Sequence, residues 1–149
     1  MSRADDLLLA YQDLDWDLFV DISDSIIKIN DRDIDNELIK HASQFSYYSG
    51  LCDLAKKDVE QSSLRVTQFA SETRKEYSIR CKAEGKKATA KDLDDYVFSH
   101  TTYIELSTIL NESMHKLNLL KSLVQAFIHR KDMLIQLSAN GRAEKNIYS

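Results

Sequence analysis

YIELSTILNESMHKLNLLKSLVQAFIHRKDMLIQLS, Tyr103–Ser138, runs for 36 residues without a proline or a glycine. Tyr103, Leu106, Leu110, Leu117, Leu120, Val124, Phe127 and Leu134 recur at heptad-like spacing, which predicts one long amphipathic helix over 103–139. A second apolar row, Ile109, Leu119, Leu123, Ile128, Ile135 and Leu137, lies beside the first. A helix this apolar on two sides is expected to bury two surfaces. Asn140-Gly141 offers a C-terminal stop.

The partner for the first surface lies upstream. From Asp35 to Ala83 there is again no proline, and Gly50 is the one glycine. Leu38, Ala42, Phe45, Ser49, Cys52, Val59, Val66, Ala70, Thr73 and Tyr77 form a thin seam of apolar and small residues near a 3.5-residue period. Such a seam suits close helix packing, and Gly50 permits close backbone approach at a cost of about 1 kcal/mol relative to Ala. AEGKK (83–87) breaks the pattern, and Thr89 with Asp92 three residues later predicts the N-cap of a short helix over 90–99. Residues 1–33 read as an irregular, acidic, partly helical head. Within it, LDWDLFVDI (14–22) is either a docking amphipathic element or a strand-like binding segment, and IIKIN (26–30) is expected to run extended.

The fold expected is therefore all-α: two long helices, about 35–83 and 103–139, form an elongated antiparallel hairpin with a short helix between them. The head, 1–33, precedes a helical body, 34–149. The second apolar face of the last helix points to a homo-oligomer, with Leu117, Leu120, Val124, Phe127, Ile128 and Leu134 as its interface.

Composition narrows the functional classes. The chain has 149 residues, 43% hydrophobic, with a formal net charge of −4. That charge hides an asymmetry: residues 1–40 hold eleven acids and four bases, and residues 41–149 hold thirteen acids and sixteen bases. No segment reaches the ~20 apolar residues of a membrane span, and the N-terminus does not resemble a signal peptide. Cys52 and Cys81 match no redox or metal spacing, so reduced thiols and a cytoplasmic location are expected. The four histidines, His41, His100, His115 and His129, match no ligand motif, and no phosphate loop or nucleophile elbow occurs. No catalytic residue, metal or cofactor is expected, and the chain does not read as an enzyme.

One charged cluster stands out. Between Arg74 and Lys87 there are six bases and two acids. Arg74, Lys75, Arg80 and Lys82 fall on the end of the first long helix, with Tyr77 among them, and Lys86 and Lys87 fall in the turn. Such a cluster can follow a phosphate backbone, with Tyr77 stacking a base; equally, cations near a helix C-terminus are favourable without any ligand. Phe45, Tyr47 and Tyr48 form a second aromatic group, read as core.

The order of these features resembles phage UvsY-like recombination mediators. DIDNELIKHASQFSYYSGL (33–51) is similar to the opening of that family. TRKEYSIRCKAEGKK then stands at the end of a long helix, TAKDLDDYV starts a short one, and LLKSLVQAFIHRKDMLIQLSANGRAE resembles the family's tail. The likeness spans about residues 26–144. It implies a non-enzymatic helper that binds single-stranded DNA as a ring-like homo-oligomer of six or seven subunits, with 34–149 as its helical DNA-binding and oligomerisation domain. Such a helper loads a RecA-like recombinase onto strands covered by single-strand-binding protein. The implied DNA contact falls nearest Arg74 and Lys75, extended by Arg80, Lys82, Lys86 and Lys87. Glu72 and Thr73 depart from the family pattern, which has Lys and Ala there. Two other readings stand beside it: a helical adaptor, and an acidic inhibitor of a DNA-binding complex.

Overall fold

A computed structural model describes residues 2–148. Among them are five helices and no strand: α1 (Arg3–Gln12), α2 (Trp16–Ile26), α3 (Ile34–Ala83), α4 (Ala90–Phe98) and α5 (Thr101–Tyr148). The long helices begin where the sequence places them. The head is not irregular as expected: two capped helices occupy most of it. Ser2 accepts from the Asp5 amide, and the Asp5 carboxylate accepts from Ser2 in return, closing a capping box on α1. Asp15 caps α2 by accepting from the Leu18 amide at 3.0 Å. IIKIN (26–30) does not run extended throughout: Ile26 ends α2 and Ile27 caps it in a right-handed helical conformation, so only residues 28–30 lie outside a helix or turn.

The chain divides into two compact units, one of residues up to Ala55 with those from Lys116 onward, the other Lys56–His115. This division differs from the head-and-body boundary drawn at residue 33, because the head packs into the same unit as the second half of α5.

In the first unit, α3 and α5 run antiparallel: Glu37 and His41 meet Arg130, and Tyr48 stacks on Phe127 at 5.4 Å. Leu51, Ala55, Leu120, Phe127 and Leu134 are fully buried here. Helix α2 adds a third wall. Phe19 is buried, linking Trp16 on one side to Tyr48 on the other through ring contacts of 5.7 and 6.4 Å. So LDWDLFVDI is a docked amphipathic helix. Phe45 and Tyr48 are half-buried against the core, whereas Tyr47, read as core with them, is exposed. Tyr48's phenol is pushed above its ordinary pKa by burial. Helix α1 is seated by Leu7: a Cβ at Gly50 would stand 3.0 Å from a Leu7 methyl. The close approach expected at Gly50 is thus to a side chain of the head.

In the second unit, buried Ser62 of α3 faces buried Ser113 of α5 at 3.5 Å, and the Ser113 hydroxyl donates to Asp58 at 3.1 Å. These helices again run antiparallel, joined here by small polar residues. His100 initiates α5, its Nδ1 accepting from the Thr102 amide at 3.2 Å.

Three expectations are corrected. Asn140-Gly141 does not end α5, which continues to Tyr148 with Gly141 inside it. Leu117, Leu120, Phe127 and Leu134 are buried within the single chain, so they have little surface to give to another subunit. Finally, the second apolar row is not all free for a partner: Leu123 is buried, and Leu119 and Leu123 line a cavity with Phe19, Val20 and Ile27 of the chain's own α2 and the residue that follows it. Val124 is half-buried, and Ile128 stays exposed.

Candidate nucleic-acid interface

The basic cluster lies at the C-terminal end of α3. Its turn is set by a Schellman motif: the Lys86 amide donates to the Cys81 carbonyl at 2.8 Å and the Gly85 amide to Lys82 at 3.1 Å. Gly85 adopts φ 71°, the left-handed conformation the motif requires. Four residues on, Thr89 and Asp92 form the capping box that the sequence predicts, with bonds of 2.9 and 3.2 Å. Accepting the backbone and hydroxyl hydrogens of Thr89 holds the Asp92 carboxyl below its usual pKa. Two glycine- and threonine-specific caps therefore fold α4 back beside the last turns of α3.

That return brings acids onto the cluster. Arg74 is ion-paired with Asp94, and Lys86 with Glu84 at 3.1 Å. Over Glu72–Asp95 there are seven bases and six acids, so the field of the cluster is much weaker than its own sequence implies. Lys75, Arg80, Lys82 and Lys87 are exposed, and none of these four has an ion pair among the described residues. They are the free cations of the cluster.

Tyr77 is placed differently from its expected role. Its ring lies flat on Tyr96 of α4, centroids 4.2 Å apart and planes at 9°, so one face is already covered. Arg80 adds a cation–π contact to Tyr96 at 5.7 Å. A hydrogen bond with the buried Cys81 thiol raises the Tyr77 phenol's pKa. Tyr77 thus joins α3 to α4, which makes it part of the scaffold beneath the cations.

The sequence reading missed a neighbouring feature. Val66, Thr67, Ala70, Ser71, Arg74 and Lys75 of α3, with Phe98 at the end of α4 and Tyr103 of α5, line an open groove of about 450 Å³. Phe98 is 51% exposed and touches Tyr103 at 5.2 Å. RVTQFAS (65–71) supplies much of this wall. Its signal was the scarcity of bulk: Ala70 and Ser71 leave space where a larger side chain would fill it.

The buried Arg130 also escaped the sequence reading. Its guanidinium donates to the carbonyls of Ile27 and Lys28 at 3.1 and 3.4 Å, meets His41 Nδ1 at 3.1 Å, and pairs with Glu37. Among the described residues no group of three or more His, Cys, Asp or Glu is placed to hold a metal, and no helix is long and apolar enough to cross a membrane. Compared with known proteins, the chain matches no family model, no curated protein and no solved structure.

Proposed function

We propose that this chain binds single-stranded DNA through the end of α3 and the turn that follows, acting as a recombination mediator rather than an enzyme. The observation that carries the reading is the set of exposed, unpaired cations Lys75, Arg80, Lys82 and Lys87 on one helix end and its turn. Phosphate contacts from such cations are sequence-tolerant and salt-sensitive. A single cluster of four binds weakly; repetition around a homo-oligomer makes later contacts intramolecular and raises avidity. The resemblance to UvsY-like mediators supports the same placement. In that setting the assembly holds the strand while a RecA-like recombinase displaces single-strand-binding protein.

The test is fluorescence anisotropy with an oligo(dT) strand over a range of salt. Replacing Lys75, Arg80, Lys82 and Lys87 with alanine removes up to four phosphate contacts. The magnitude of the log–log salt slope then falls by about 3, at about 0.7 per contact. Helicity by circular dichroism stays unchanged, since all four side chains are exposed. An unchanged slope removes this surface from consideration.

A second reading rests on the Arg74–Asp94 and Lys86–Glu84 pairs. A cluster that neutralises itself suits a helical adaptor whose charges serve solubility, and absence of oligo(dT) binding at low salt selects it.

A further inference from the structure

The groove beside the cations has a chemistry of its own. One wall is α3, where Val66, Ala70 and Arg74 follow each other at i, i+4 and i+8, with Thr67, Ser71 and Lys75 one residue on. The opposite wall is aromatic: Phe98, half in solvent, leaning on Tyr103 with ring planes at 43°. Phe98, the last residue of α4, thus offers aromatic surface to the groove. The Ser71 hydroxyl lies on the rim, whereas Thr67's hydroxyl already donates to the Ser63 carbonyl at 3.0 Å.

We propose that this groove is a subsite for one unpaired nucleobase, stacked on Phe98, with the flanking phosphate on Lys75. The inference rests on the single-stranded DNA reading and deepens it. Three properties select a base over a purely apolar occupant. An aromatic side chain lining the groove is half exposed, small residues share the lining with it, and cations stand at one end where a phosphate would follow. Asp94 fixes Arg74 in place at the same end of the groove and leaves further guanidinium hydrogens for a phosphate or a base edge. The subsite needs no particular base, because every base presents a π-face. A duplex, whose bases are stacked on each other, cannot enter it.

The experiment compares two strands of equal length and charge: oligo(dT), and the same backbone with abasic sites throughout. The proteins are the full chain and its Phe98→Ala, Phe98→Leu and Phe98→Trp variants. The full chain is expected to bind oligo(dT) about tenfold more tightly than the abasic strand. Phe98→Ala and Phe98→Leu are expected to lose that preference while keeping the abasic affinity, and Phe98→Trp to retain it. Leucine preserves apolar bulk without a π-face, so loss in that variant separates stacking from packing. If the preference survives in Phe98→Leu, or the full chain shows none, the base subsite is overturned while phosphate binding stands. If neither strand binds at low salt, the subsite and the single-stranded DNA reading fall together.

Discussion

At Arg130 the apolar register of α5 passes through a guanidinium. Phe127, position 130 and Leu134 are spaced three and four apart, so the residue between two fully buried side chains is itself buried, 4% exposed. Arginine is seldom buried, but the register of α5 places position 130 on the inward face. Burial is tolerable because the guanidinium is satisfied by two carbonyls, Glu37 and the His41 ring. For Nδ1 to accept from Arg130, His41 must be neutral there. Burial, then the positive charges of Arg130 and Lys131, lower its pKa from 6.5. The unfolded chain therefore takes up a proton more readily than the folded one, and stability falls as pH drops below about 6.5. The loss is complete once pH lies below the folded value. In His41→Gln, which keeps an acceptor but does not titrate, the fall in Tm between pH 7.5 and 5 should shrink. Parallel curves for both proteins would assign the pH dependence elsewhere. Asp5 and Asp92, whose pKa values are also lowered, act in a separate window: their contributions fade only as pH falls below about 4.

At the scale of elements, identical changes at two glycines should act with opposite sign. Gly85 is left-handed and terminates α3, so Gly85→Ala forces a β-carbon into that conformation and costs about 1 kcal/mol. Gly141 sits inside α5 with open space around its Cα, so Gly141→Ala should stabilise by up to about 1 kcal/mol. Urea titrations of both variants, read as midpoints at constant m-value, check the pair. The stop expected at Asn140-Gly141 failed for a related reason. Glycine permits a left-handed cap, but the hydrogen-bonded turn must also form. At Gly85 it does, and α4 has its own capping box shortly beyond. Of the seam read along α3, Cys52 and Thr73 are buried, but between them the buried residues are Ala55 and Ser62, and Val59, Val66 and Ala70 are only half-buried. Upstream, Ala42 is exposed and His41 is buried in its place. A 3.5-residue register drifts by about 20° per heptad on a straight helix, and α2 widens the buried face there.

For the whole molecule, the helical class was readable because it follows from missing prolines, sparse glycines and apolar period. Those are local properties. What lay beyond reach were partners distant in sequence: α2 covering Leu119 and Leu123, and α4 bringing Asp94 to Arg74. Several acids of the head proved to be helix caps, Asp5 and Asp15 among them, which accounts for part of its negative charge without any external partner. The proposed self-association now rests on apolar residues exposed in the second half of α5, among them Ile128, Met133, Ile135 and Leu137, each 37–56% accessible. Replacing Ile128 and Ile135 with glutamate should reduce the sedimenting mass at micromolar concentration without altering helicity. A chain that sediments as a monomer before substitution would remove self-association from the proposal.

Arg130 also imposes an order on the making of the protein. The carbonyls it holds are 103 and 102 residues earlier in the chain. At ribosomal speeds of about 5–20 residues per second, the loop after α2 waits roughly 5–20 s for its ligand to be synthesised. For most of that interval, once residue 51 has been made, Phe19, Tyr48 and Leu51 await the second half of α5. A chaperone that holds emerging chains would find its longest opportunity there, before residue 130 leaves the ribosome.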